Sequence, residues 1–238
     1  MSPVAVVTGV GKPTGLGFEV CRQLAQEGFK VILTARNSDA ASELASTLAA
    51  EGLSVEGRQL DISSDESIRQ FANSVQTVDV LINNAVGMAP WGETASNPDF
   101  AAVQSVLDTT LFGTWRLTVA LLEKLKASPG GRIVNVSSGA GSFHDTIFGV
   151  FSGNPMGTSY PLSKAALNVL TAKLAQELRD SNLKINAVCP GFTATFPGGA
   201  EMGARPASES AKGVVWAATL PSDGPTGGFF RDRKPLDW

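Results

Sequence analysis

The stretch Thr8-Gly9-Val10-Gly11-Lys12-Pro13-Thr14-Gly15-Leu16-Gly17, set between a wholly apolar run and an amphipathic one, constrains this chain more than any other feature. The run before it, Val4-Ala5-Val6-Val7, reads as a strand covered on both faces, because a half-exposed strand would alternate polar and apolar residues. After it, Leu16, Val20, Leu24 and Phe29 recur at roughly helical spacing, and Gly28 ends that helix ahead of Val31-Ile32-Leu33. Strand, turn, helix and strand make one βαβ unit, the repeat from which parallel sheets are built. Glycine in such a turn lets the backbone come close to a phosphate, and the free N–H groups of the helix start can hold it. The turn therefore predicts a dinucleotide, with Gly9, Gly11, Lys12, Thr14, Gly15, Leu16 and Gly17 as candidate contacts. A nucleoside-triphosphate loop is the nearest rival, through Gly11-Lys12. It fails on Pro13, where Ser or Thr is required, and on Val6, where the leading Gly should stand.

The same alternation continues along the chain. Leu44 and Leu48 mark a second helix, Leu53 to Leu60 a third strand, Ser63 with Glu66 a capping box opening another helix, and Val80-Leu81-Ile82 a fourth strand. A helical pattern runs from Phe100 to Lys126, is broken by Pro129-Gly130-Gly131, and gives way to the strand Ile133-Val134-Asn135-Val136. Residues 139 to 159, rich in Gly and Phe, form an irregular excursion of a length more often functional than filler. A helix from Ser163 to Leu178, a strand from Ile185 to Val188, a loop beginning Cys189-Pro190-Gly191, a helix near Ala207 to Leu220 and a strand at Gly228-Phe229-Phe230 complete the pattern. With no linker or repeat, residues 1–238 read as one α/β domain, a doubly wound parallel sheet of about seven strands with helices on both faces.

Composition narrows the function. The chain is 43% hydrophobic and 17% charged, enough apolar residues for a core without staples. A net charge of −3 with no block of like charge argues against a nucleic-acid surface. No apolar run is long enough to span a membrane and no basic n-region precedes the apolar residues, so a cytoplasmic protein is expected. Cys21 and Cys189 lack the spacing of a zinc site, so no metal is expected.

Two local patterns point to chemistry. About 20 residues past the turn, where an acid would accept a ribose 2′-hydroxyl, the chain reads Thr34-Ala35-Arg36-Asn37. No carboxylate is there to repel a 2′-phosphate, Arg36 offers a guanidinium to grip one, and Lys12 can add a second charge, so NADP is the expected cofactor. Tyr160, the only tyrosine, is followed at i+4 by Lys164, which puts both side chains on one helix face. An ammonium beside a phenol favours phenolate, and such a pair can pass a proton near neutral pH. Ser137 and Ser138 close the fifth strand, at the sheet end where ligands of parallel α/β folds bind.

The chain resembles the short-chain dehydrogenase/reductase family, in particular its NADP-dependent carbonyl-reductase-like members, from Val4 to about Phe230. The resemblance is carried by the Thr8-Gly9 to Gly17 turn, Asp61 after the third strand, Asn83-Asn84-Ala85 after the fourth, Ser138, Tyr160 with Lys164, and Pro190-Gly191 through Thr195. It implies a Rossmann-type fold and the transfer of hydride from NADPH to a ketone or aldehyde. Tyr160 would be the acid, Ser138 would hold the carbonyl oxygen, and Lys164 would bind the nicotinamide ribose while lowering the pKa of Tyr160. Asp61 and Ile62 would lie by the adenine, Asn83 and Ala85 by the ribose, and Pro190, Gly191, Thr193 and Thr195 near the carboxamide. The chain departs from the family's pattern in three places. Its glycine turn is two residues longer, Val86 replaces the glycine after Asn-Asn-Ala, and Thr110 stands where an asparagine usually helps carry protons, which predicts a water-filled gap beside Lys164.

Met88, Trp91, Phe143, Phe148, Phe151, Met156, Phe192 and Phe196 fall in loops expected around the nicotinamide and predict a small apolar carbonyl or alcohol substrate. His144, the only histidine, is read mainly as a surface residue. Two other readings stay open at this point: an NADP(H)-binding sensor or scaffold with little turnover, motivated by Thr110 and Val86, and an NAD-dependent alcohol dehydrogenase, which Ala35 and Arg36 oppose. Pairing of two copies through the long helices is also open.

Overall fold

The computed structural model describes residues 2–90, 92–153 and 157–238. Its sheet holds β1 (Val4–Val7), β2 (Lys30–Ala35), β3 (Val55–Gln59), β4 (Val80–Asn83), β5 (Arg132–Val136), β6 (Lys184–Val188), β7 (Phe229–Arg231) and β8 (Lys234–Pro235). The order across the sheet is β3-β2-β1-β4-β5-β6-β7-β8. All pairings are parallel except β7 with β8. The expected doubly wound α/β sheet is present with one strand more than anticipated. That strand closes a two-residue hairpin through Asp232 and Arg233, whose φ values of 53° and 65° suit a turn that matches strand twist.

Period-two patterning divides the core between the faces. Along β2, Val31 and Leu33 join one apolar cluster and Ile32 the other; along β1, Ala5 and Val7 face one side and Val6 the opposite. On the first face lie α1 (Leu16–Gln26), α2 (Ser38–Ala50) and α7 (Ala207–Ala218), which bury Phe18, Leu24, Leu48 and Val214. On the second lie α3 (Asp65–Ser74), α5 (Thr114–Ala127) and α6 (Ser159–Glu177), which bury Phe71, Leu117, Leu121 and Leu167. Each such side chain taken out of water contributes about 1.5–3 kcal/mol. None of the described helices is long and apolar enough to cross a membrane.

Three details differ from the pattern read in the sequence. Helix α3 is capped by Ser64, whose hydroxyl accepts from the Ser67 N–H, while Ser63 turns its hydroxyl to Asp61 at 2.6 Å. The long pattern after Phe100 is α4 (Phe100–Leu107), a π-helical turn over Asp108–Gly113, and then α5. That widened turn lets Gly113 meet the Ile62 backbone, where a Cβ would stand 2.4 Å from the Ile62 carbonyl. Helix α6 starts at Ser159, four residues earlier than read, so Tyr160 and Lys164 sit in its first two turns.

The strand order reverses between β1 and β4, and ligands of open α/β sheets bind outside the carboxyl ends of the strands at that switch point. The glycine turn leaves β1 there and Asn84-Ala85 leaves β4 beside it.

Candidate active site

The two loops at the switch point are built into each other. The Thr8 hydroxyl accepts from the N–H groups of Asn84 and Ala85, both at 3.0 Å, and the Asn84 amide donates to the Thr8 carbonyl at 2.7 Å. Gly9 has φ +70°, and a Cβ on it would lie 2.5 Å from the Ala85 Cα; one on Gly17 would lie 2.6 Å from the Asn84 amide nitrogen. Gly9 is required by its positive φ and the close backbone approach of Ala85, and Gly17 leaves space for the Asn84 amide. Gly15 begins α1 with no side-chain cap, which leaves the first helical N–H groups for an anion.

Two basic side chains flank the glycine turn, and they differ in their surroundings. Arg36 is exposed at the end of β2 and makes no ion pair among the described residues. Lys12 reaches instead to the Thr195 carbonyl, so it joins the glycine turn to the loop after β6. Asp61 is half-buried and spends one oxygen on the Ser63 N–H and hydroxyl. Ile62 is buried. Ala85 sits against Gly9 as described. Pro190 and Gly191 are held by Arg205, whose Nε donates to the Pro190 carbonyl at 3.0 Å, and Thr193 shares a 2.8 Å hydrogen bond with Ser210. The Asn83 side chain is turned into the sheet. Its amide is buried and donates to Asn135 at 2.8 Å and Thr118 at 3.2 Å, so the side chain ties β4 to β5 and α5.

Ser138, Tyr160 and Lys164 come together at the carboxyl ends of β5 and β6. Ser138 follows β5 and caps the short helical turn Gly139–Gly141, its hydroxyl accepting from Ala140 N–H. Lys164 is buried, donates to the Val136 carbonyl at 2.7 Å, and lies 5.6 Å from the centre of the Tyr160 ring. The electrostatics correct one expectation. The Tyr160 phenol is raised above its ordinary value, first by burial, with the Ser138 hydroxyl pulling it down and Cys189 pushing it up. Burial, not the lysine, decides the direction. Lys164 is itself pushed down to about 8 by burial, with Cys189 opposing.

Several supporting residues carry no local sequence signal. Cys189 Sγ accepts from the N–H groups of Gly139 and Gly191 and from Arg231 Nε at 3.3 Å. Arg231 also pairs with Asp145 and lies 5.5 Å from the centre of the Phe148 ring. The excursion at 139–159 is thereby fastened to β7. Phe148, Phe192 and Phe196 form an aromatic row with ring centres 6.4 and 6.2 Å apart. Phe143 and Phe151 make a second contact at 6.1 Å, and Met88 is exposed. Trp91 and Met156 lie outside the described residues. His144 is exposed, with Nδ1 3.0 Å from the Trp238 carbonyl.

A glycine-lined cradle at the switch point of a doubly wound sheet, beside a Ser, Tyr and Lys group, defines a nucleotide-dependent oxidoreductase site. Residues 3–201 match the short chain dehydrogenase family, and the chain belongs to it. The chain is similar to mouse (Mus musculus) carbonyl reductase [NADPH] 1, with 32% identity covering 99% of this chain and 98% of that one. It is also similar to a monensin polyketide synthase putative ketoacyl reductase of Streptomyces virginiae, with 34% identity covering 82% of this chain and 72% of that one. Among solved structures, an actinorhodin polyketide ketoreductase with NADPH superimposes with a TM-score of 0.81 at 26% identity, covering 97% of this chain and 95% of that one.

Proposed function

We propose that this protein reduces a ketone or aldehyde carbonyl with NADPH. The observation that carries the reading is the convergence of Ser138, Tyr160 and Lys164 beside the glycine cradle. The cradle fits the cofactor: Gly9 and Gly17 let the turn seat against Ala85 and Asn84, α1 opens without its own cap, and Arg36 is unpaired among the described residues. The N–H groups that open α1 would take the pyrophosphate, Arg36 the 2′-phosphate, and Lys164 the nicotinamide ribose. The bound nicotinamide supplies the hydride.

The remaining work falls to this chain's side chains. Ser138 donates a hydrogen bond to the substrate oxygen and orients the carbonyl toward Tyr160. Tyr160, a phenol that is protonated near neutral pH and that burial raises further, delivers the proton to that oxygen as its bond to carbon becomes single. The product is an alcohol, and the phenolate left behind recovers its proton from solvent by way of Lys164. Phe148, Phe192 and Phe196 favour an apolar substrate. The names of the mouse and Streptomyces relatives support both the cofactor and the carbonyl.

The test is NADPH consumption over a panel of apolar ketones and aldehydes, with Tyr160→Phe alongside the parent. The variant is expected to bind NADPH normally and to turn over about 10²–10⁴ times more slowly. A near-normal rate would remove Tyr160 as the acid.

A further inference from the structure

We infer that Glu93 is a positioning residue for Tyr160: carried on the loop between β4 and α4, it supplies the missing cap of helix α6 and so sets where the tyrosine stands. The inference rests on the reading of Tyr160 as the proton donor. Helix α6 opens without a cap of its own, because Thr158 before it has helical angles, φ −94° and ψ −40°, and makes no side-chain cap bond. The first N–H groups of a helix have no partner within it. Pro161, third in this helix, has no N–H to offer, so few donors remain in its first turn.

Glu93 takes up the first of them from a distant part of the chain. Its Oε2 accepts from the Ser159 N–H at 3.1 Å and from the Ser159 hydroxyl at 2.5 Å, and Ser159 is fully buried. A carboxylate at this end of a 19-residue helix is also favoured by the helix dipole. The approach is close: Gly157 has φ +72°, and a Cβ on it would stand 3.1 Å from the same Oε2. The other oxygen, Oε1, is buried with no hydrogen-bond partner among the described residues. Burying an unpaired carboxylate oxygen is costly, so the bonds to Ser159 hold Glu93 against that cost. Tyr160 is the next residue, and its backbone inherits the position of Ser159. The loop that carries Glu93 begins at Asn84 and Ala85, against the glycine cradle.

The single tyrosine gives a readout independent of turnover, since ultraviolet difference absorption then follows Tyr160 alone. Cys189 after β6, the ionisable neighbour that acts on both Tyr160 and Lys164, and Lys164 on α6, 5.6 Å from the Tyr160 ring centre, stay in place in every variant. Glu93→Gln keeps an acceptor for both Ser159 donors and is expected to stay within about threefold of the parent kcat, with the tyrosine titration close to the parent's. Glu93→Ala is expected to lose roughly tenfold in kcat with NADPH affinity unchanged. Its tyrosine titration is expected to fall by about half a unit as the ring, already partly open to solvent, takes up more water.

Adding Ser159→Ala to Glu93→Ala is expected to cost nothing further, because both act through one contact. Equal kcat and equal titration in parent and Glu93→Ala would overturn the inference, as would additive losses in the double variant or failure of Gln to rescue. If Glu93→Ala does not fold, Ser159→Ala alone decides, with a smaller downward titration shift supporting the role and none overturning it. A parent inactive on every carbonyl would defeat the reductase reading and leave the titrations to judge Glu93.

Discussion

The Lys164 ammonium donates to the Val136 carbonyl at 2.7 Å and stands 5.6 Å from the centre of the Tyr160 ring, so its nearest anchor is the backbone of β5 and not the phenol. Burial holds it down to about 8 from an ordinary 10.5. Below that value the folded protein carries a charged, buried lysine at a cost the unfolded chain does not share. Between about 8 and 10.5 the folded lysine sheds its proton while the unfolded one keeps it, so this group makes stability rise with pH across that window. Lys164→Met is therefore expected to be more stable than the parent at pH 7, by about 1–3 kcal/mol after loss of the Val136 bond, and to lose turnover. Denaturant titrations on either side of the window check it. A stability gap that does not shrink as pH rises would contradict it.

Arg36 is exposed and free of ion pairs among the described residues, and its carbonyl accepts from the Gln59 amide at 3.1 Å, which steadies the end of β2. Charge-assisted bonds from its guanidinium exist only with a 2′-phosphate. Arg36→Ala is expected to weaken NADPH binding by about 1.5–3 kcal/mol and to leave NADH binding almost unchanged. Fluorescence titration with both cofactors measures this, and an unaltered preference would take Arg36 out of cofactor selection.

What could be read from the sequence was local. Val4-Ala5-Val6-Val7, the glycine turn and the Tyr160/Lys164 spacing each express a rule that acts within a few residues, and each stands in the fold where it was expected. The supports of the site did not show, because they join distant segments. Asp145 and Arg231 are 86 residues apart and Glu93 and Ser159 are 66 apart, with no pattern linking either pair. Strand β8 was hidden because its turn uses Asp232 and Arg233 at positive φ, where the usual signal is Asn-Gly or Gly. The direction of the Tyr160 shift is not legible in the sequence for a related reason. Spacing reveals the neighbouring ammonium, while burial, the largest cause of the shift, comes from the whole fold.

Asp145 anchors the aromatic excursion. Burial by itself would raise its carboxyl, but the N–H groups of Ile147 and Phe148, at 2.9 and 3.1 Å, and the Arg231 guanidinium outweigh that and hold it below the ordinary range. A depressed carboxyl contributes stability above its unfolded pKa, and that contribution is lost as pH falls through the folded value. Asp145→Ala, which leaves Arg231 without its partner, is expected to cost about 3–5 kcal/mol at pH 7 and to raise KM for apolar carbonyls more than it lowers kcat. Asp145→Asn is expected to be milder and to unfold with a shallower dependence on pH below about 4. Parallel acid-unfolding curves for parent and Asn variant would show that this carboxyl does not drive acid sensitivity.

Thr110 ties two parts of the cleft together. Its hydroxyl accepts from the Gly87 N–H at 3.0 Å, where a bond back to its own helix was also open to it. Thr110 is fully buried in the π-helical turn, and a Cβ on Gly87 would lie 2.6 Å from the Val106 Cα, so the loop after Asn-Asn-Ala is pressed onto this helix. Thr110→Ser keeps the acceptor and is expected to stay near the parent. Thr110→Val leaves a buried N–H unpaired and is expected to cost about 1–3 kcal/mol of stability. Thr110→Asn puts a larger side chain into a fully buried site and is expected to destabilise rather than speed turnover. With Thr110 acting as a tether that carries no proton, the solvent-deuterium effect on kcat is expected to be the same in the parent and Thr110→Val. A slower rate with a changed isotope effect in Thr110→Val would place the hydroxyl in the return path of the proton to Tyr160 and overturn its role as a tether.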